Sequence, residues 1–144
     1  MHDARHLGHV HLRVRDLERA VGFYRTVLGL RVEERHAGYA FLTFGGHHHD
    51  LALQGSGEGV TAPGDGVGLY HSAWEMPDAR GLRETYERLR ELDVAVDPVD
   101  HGISKALYFD DPDDNGVEVY LDVRDARDVE EWRGRNEWFD PTAL

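Results

Sequence analysis

The run Gly116-Val-Glu-Val-Tyr-Leu-Asp-Val123 alternates with the period of a β-strand, and its two faces differ in kind. Val117, Val119, Leu121 and Val123 form an apolar face suited to packing on a helix, while Glu118, Tyr120 and Asp122 point the other way. Two earlier strand-like runs carry a histidine opposite their own core residues. These are His9 in Gly8-His-Val-His-Leu-Arg-Val14 and His71 in Leu69-Tyr-His-Ser-Ala-Trp-Glu-Met76. Two histidines and one carboxylate facing one another from three strands are the ligand set of a non-haem iron site with open positions.

The chain reads twice in the same order. After the strand at 8–14, Asp16 is a helix N-cap, and Leu17, Ala20, Val21, Tyr24, Val27 and Leu28 follow at helical spacing up to Gly29. Strand runs at 30–35, 39–44 and 49–54 come next, with turns at Gly38 and Gly45-Gly46, and then a glycine-rich linker at 55–67. His71 precedes Asp78 by seven residues, as His9 precedes Asp16. Asp78 opens a second helix, carried by Leu82, Leu89 and Leu92 with Tyr86 near the same face, before strands at 94–99, 105–109 and 117–123. The pattern is βαβββ twice, at about 7–54 and 68–123, an internal repeat within one α+β domain spanning 1–144. A charged tail, 124–144, follows; its Trp132, Trp138 and Phe139 predict that it packs down.

Composition narrows the function classes. A length of 144 residues suits one domain, and 40% apolar residues suit a soluble globular chain. A net charge of −12 opposes nucleic acid and anionic membranes alike. The chain has no cysteine, which removes disulfides, thiolate nucleophiles and cysteine-held metals and suits a reducing compartment. No apolar leader opens the sequence and no run approaches the roughly 18 apolar residues of a membrane span, so a cytoplasmic protein is expected. Ten histidines exceed what packing needs and direct attention to metal or proton chemistry.

Over 7–123 the chain resembles the vicinal oxygen chelate superfamily, the group of glyoxalases, bleomycin-resistance proteins and extradiol dioxygenases. The resemblance implies two βαβββ units whose mixed sheets form a cup around a metal, with ligands from the first strand of each unit and the last strand of the second. His9, His71 and Glu118 hold those places; His11 shares the face of His9 and is its rival, but its counterpart in the second repeat is Ala73. Aligning the last strands sets Ala52 against Glu118, where glyoxalase I enzymes place a fourth, glutamate ligand. An alanine leaves three positions on an octahedral ion, enough for a catechol and dioxygen.

Further motifs resemble the one-domain extradiol enzymes of the catechol 2,3-type. In Gly46-His-His-His-Asp-Leu-Ala-Leu53, His49 takes the place of the family's acid/base histidine, while His47 and His48 read as an exposed tract. Tyr108 stands ten residues before Glu118, as the ring-cleavage tyrosine does, and His101 lies near the place of another active-site histidine. The turn Asp111-Pro-Asp-Asp-Asn-Gly116 precedes the ligand; its acidic run is a solvated turn rather than a calcium loop, since a terminal bidentate glutamate is missing. The resemblance thus implies an Fe(II) enzyme, with Mn(II) as the alternative, acting on a small aromatic diol and O2 as a homodimer or higher homo-oligomer. A metal lowers the pKa of a chelating catechol, and a histidine near its ordinary pKa can deliver the proton that reduced dioxygen needs. The other readings are an isomerase, epimerase or thiol transferase of the same fold, and a drug-binding resistance protein, which would typically lack the metal trio.

Overall fold

The structure, a computed structural model, describes residues 2–144. Two compact units divide the chain, the first ending at Ala62 and the second beginning at Pro63, so the division falls inside the glycine-rich linker.

In the first unit the order is β1 (Val10–Val14), α1 (Leu17–Leu28), β2 (Arg31–His36), β3 (Tyr39–Thr43) and β4 (Leu51–Gly55). The sheet runs β1-β4-β3-β2, with β1 parallel to β4 and the other pairs antiparallel. Asp16 caps α1 by accepting from the Arg19 amide at 3.1 Å. Gly29 ends it with φ 75°, a left-handed conformation that glycine adopts without a Cβ penalty. The helix buries Ala20, Val21, Tyr24, Val27 and Leu28, and packs on the sheet that carries Leu42, Leu51 and Leu53. Burying each valine or leucine among them contributes about 1.5–3 kcal/mol before conformational entropy is counted.

The second unit repeats the order as β5 (Ser72–Glu75), α2 (Ala79–Glu91), β6 (Asp97–Asp100), β7 (Ser104–Asp110) and β8 (Gly116–Asp122). It then adds α3 (Arg124–Arg127), the short strand β9 (Glu137–Trp138) and a closing 3-10 turn, Pro141–Ala143. Its sheet runs β5-β8-β7-β6-β9, again with the first and last repeat strands, β5 and β8, parallel. Val117 and Val119 are buried on the face of β8 that α2 covers, as the alternation predicts, and Leu121 is half-buried.

Several boundaries differ from the sequence reading. The strands begin at Val10 and Ser72, so His9 and His71 each stand one residue before a strand rather than within it. The run at 49–54 becomes strand only at Leu51, because residues 44–50 form a bent loop that carries the histidine tract, and the run at 94–99 only at Asp97. In α2 the buried face is Leu82, Thr85 and Leu89; Leu92 is the C-cap and is 45% exposed. The tail does pack down, but its tryptophans do not anchor it, since Trp132 and Trp138 are 55% and 70% exposed. It is held by β9 along β6, by the closing turn against α2, and by ion pairs described below.

Candidate functional site

The face of the second sheet opposite α2 carries a connected set of polar side chains. Glu118 of β8 pairs across the sheet with Tyr108 of β7 and, on its other side, with Ala73 of β5. One carboxylate oxygen, Oε2, lies 2.9 Å from Nε2 of His71. The other, Oε1, accepts from the Tyr108 hydroxyl at 3.2 Å, and that hydroxyl stands 2.7 Å from Nε2 of His101. His71, Glu118, Tyr108 and His101 thus form one chain of contacts within the second unit. Burial, followed by the charge of Glu118 and the bond to it, pushes the Tyr108 hydroxyl well above its ordinary pKa, so near neutral pH it is a protonated donor. An open cleft of about 390 Å³ borders this set, lined by Tyr70, His71, Asp97, Tyr108 and Asp110 among others. Burial, then the charges of Asp114 and Asp111, raises the Asp110 carboxyl.

The pairing of His71 with Glu118 bears on metal binding. Two atoms bound to one ion at ~2.1 Å and at right angles stand ~3.0 Å apart, close to the separation of these two. Tyr108 occupies Oε1 and so orients the carboxylate with Oε2 toward His71, as hydrogen-bonded partners orient metal-held carboxylates. These two donors suit neighbouring positions on a divalent ion. No group of three or more His, Cys, Asp or Glu side chains that could hold a metal ion is gathered among the described residues.

Gly116 allows the approach of β5 to β8. A Cβ placed there would meet the Tyr70 carbonyl oxygen at 2.4 Å and the His71 Cβ at 3.2 Å. The turn before it is tied by Asp111, whose carboxylate accepts from the amides of Asp113 and Asn115 and from the Asn115 side chain, while Asp114 takes φ 67°. The sequence reading saw the turn but not the steric role of its glycine.

In the first unit, His11 lies on the face of β1 away from buried Leu12 and Val14, and His9 stands one residue before the strand. The His9 and His49 rings are 4.3 Å apart, with Phe41 next to His49 at 5.1 Å. His49 is half-buried; burial, then the neighbouring charges of His9 and His48, lowers its pKa against the opposing pull of Asp50. Its Nδ1 stands 3.0 Å from Nδ1 of His48, whose Nε2 faces Glu34 at 3.1 Å. His47 and His48 are exposed. The loop is shaped by two residues that the sequence reading passed over. Asp50 accepts from the Phe44 amide and the Thr43 hydroxyl, and Thr43 Oγ1 donates to the His47 carbonyl. Ala52 pairs with His11 in the same register in which Glu118 pairs with Ala73, so Ala52 is the structural counterpart of Glu118.

Comparison with known proteins agrees with this architecture. The chain is 39% identical over 123 residues to the catechol-2,3-dioxygenase of Bacillus subtilis (strain 168), covering 85% of this chain and 43% of that protein. It is 33% identical over 117 residues to biphenyl-2,3-diol 1,2-dioxygenase 2 of Rhodococcus globerulus, covering 80% of this chain and 62% of the relative. It therefore spans about half the length of the curated relatives it matches. Among solved structures, a glyoxylase/bleomycin resistance protein/dioxygenase domain from Frankia sp. EAN1pec superposes with a TM-score of 0.74 at 25% identity, covering 83% of this chain and 99% of that one. The family model described as the Glyoxalase/Bleomycin resistance protein/Dioxygenase superfamily matches residues 6–119. With its two βαβββ units and two mixed sheets, the chain belongs to that superfamily.

Proposed function

We propose that the chain is an extradiol dioxygenase, opening the ring of a catechol-type substrate beside its hydroxyl pair with O2. Its metal ligands would be His9, His71 and Glu118, and the ion Fe(II), with Mn(II) as the alternative. The observation that carries the reading is the Glu118 carboxylate, flanked by His71 at one oxygen and at the other by Tyr108, whose hydroxyl in turn meets His101. The kinship with proteins named for diol dioxygenation supports the same substrate class.

Held by His9, His71 and Glu118, the ion would supply a Lewis-acid centre for the diol. The remaining work falls to side chains. Glu118 is oriented by its two partners, His71 and Tyr108. Tyr108, held protonated, offers a neutral donor to oxygens that gain charge, and His101 backs it at 2.7 Å. His49, half-buried beside His9, would serve as the acid/base for the step that follows dioxygen's arrival, a role worth roughly 10²–10⁴-fold in rate. Ala52 offers no ligand where Glu118 has its counterpart, leaving room for two reactants together.

The test is anaerobic reconstitution with Fe(II), then exposure to air with a panel of catechols. The expected result is a yellow ring-opened product that Glu118→Ala abolishes along with metal retention. A metal-loaded, folded protein that leaves every catechol unchanged would overturn the proposal.

A further inference from the structure

The segment after β8 contributes none of the proposed ligands, yet it is bound tightly to the residues beside them. Asp100, buried at the end of β6, accepts from Nη1 of Arg127 at 2.8 Å and from Nη2 at 2.7 Å, with Nη2 of Arg135 at 3.5 Å. The Gly102 amide donates to the same carboxylate at 2.8 Å, and Arg127 Nη1 also donates to the Gly102 carbonyl at 3.1 Å. These bonds fasten α3 to the loop that carries His101. The chain then returns along β6, where Glu137 pairs with Asp100. On the way back the Arg135 carbonyl comes to lie 3.3 Å from Nδ1 of His101, and the same oxygen accepts from the Trp132 indole N–H at 3.1 Å.

We infer that Asp100, Arg127 and Arg135 are positioning residues that hold His101 as the Nδ1–H tautomer, with Nε2 presented to the Tyr108 hydroxyl; the consequence for catalysis rests on the proposed roles of those two side chains. A backbone carbonyl carries lone pairs and no proton, so the ring nitrogen facing it must be the one with hydrogen. In the neutral ring Nε2 then has the lone pair, and the proton within its reach is that of Tyr108 at 2.7 Å. The tyrosine proton is therefore shared between Nε2 and Oε1 of Glu118, the latter at 3.2 Å. The clamp thus lets the tail set how strongly Tyr108 bonds to the carboxylate. Removing the guanidinium of Arg127 takes two hydrogen bonds from buried Asp100, and the loop has to move to rehydrate it.

The experiment reads the tautomer directly, by long-range proton–nitrogen correlation NMR of the full chain without added metal, at about pH 8.5, above the ordinary histidine range. The His101 signals are assigned by their loss in His101→Gln. Wild type and Trp132→Phe are expected to show Nδ1–H. Arg127→Met is expected to shift toward Nε2–H, with Arg127→Lys between the two. In ring-opening assays Arg127→Met should lose about 10- to 100-fold in kcat, the range for groups that orient a site, while KM for the diol stays within about twofold. Wild type in the Nε2–H form, or Arg127→Met with an unchanged tautomer, overturns the inference. If Arg127→Met fails to fold, Arg127→Lys carries the test, and an unshifted tautomer there is equally contrary. The NMR result needs no turnover, so a wild type without ring-opening activity would refute the proposed function and still leave the clamp to be judged.

Discussion

Gly116→Ala should disturb the proposed metal centre without touching a proposed ligand. The added Cβ would stand 2.4 Å from the Tyr70 carbonyl oxygen, whereas ordinary van der Waals contact begins at 3.4 Å. About 1 Å of separation must therefore be recovered, and the His71 Cβ at 3.2 Å blocks one direction of retreat. Neither neighbour is the end of a flexible chain, so the backbone at Tyr70 and His71, just before β5, must shift. Overpacking of this kind costs about 1–3 kcal/mol. A displacement of about 1 Å at a reacting centre can cost on the order of 10²-fold in rate. The assays are denaturant unfolding and Mn(II) titration by calorimetry, with Gly8→Ala as control. Gly8 precedes His9 as Tyr70 precedes His71, and a Cβ there meets nothing within 4 Å. Gly116→Ala is expected to lose both stability and metal affinity while Gly8→Ala loses neither. Wild-type stability and affinity in Gly116→Ala would refute the steric argument.

Ala52→Glu should fill an open position on the metal and suppress oxygen-dependent turnover, read as oxygen uptake by folded, metal-loaded protein. His49→Asn should keep iron and bind catechol normally under nitrogen, yet open the ring about 10²–10⁴-fold more slowly in a single turnover in air; Tyr108→Phe should show a milder form of the same defect. The hydrogen bonds from Arg127, with burial opposing and the Gly102 amide assisting, depress the Asp100 pKa from 3.8 to about 2. Its contribution, about 2 kcal/mol, is therefore present above about pH 4 and lost as the pH falls through about 2. The stability gap between wild type and Arg127→Met should accordingly narrow over that interval in urea titrations.

The repeat was legible because it rests on local rules. Asp16 and Asp78 are helix caps at equal distance from His9 and His71, and strand alternation alone told buried Val117 and Val119 from Glu118. The alignment of Ala52 with Glu118 needed only the assumption that both last strands share one register, which β1–β4 and β5–β8 do. Long-range geometry was not legible. The contact of Gly116 with Tyr70 depends on how closely two strands approach, and at the corresponding place in the first unit Asp50 fits without difficulty. The pairing of Asp100 with Arg127 spans 27 residues and has no periodic signature. The tail's tryptophans suggested apolar anchoring, whereas ion pairs and a two-residue strand hold it, because charge complementarity between distant segments leaves no pattern within either.

An extradiol dioxygenase places both atoms of dioxygen in a ring opened beside the hydroxyl pair. The direct measurement is mass spectrometry of the product formed by Fe(II)-loaded protein from a catechol under isotopically heavy dioxygen. The expected product is of the hydroxymuconic semialdehyde type and carries label from both oxygen atoms, apart from what water exchanges out of the aldehyde. Unopened ring, a product cleaved between the hydroxyls, or a ring-opened product without label would contradict it.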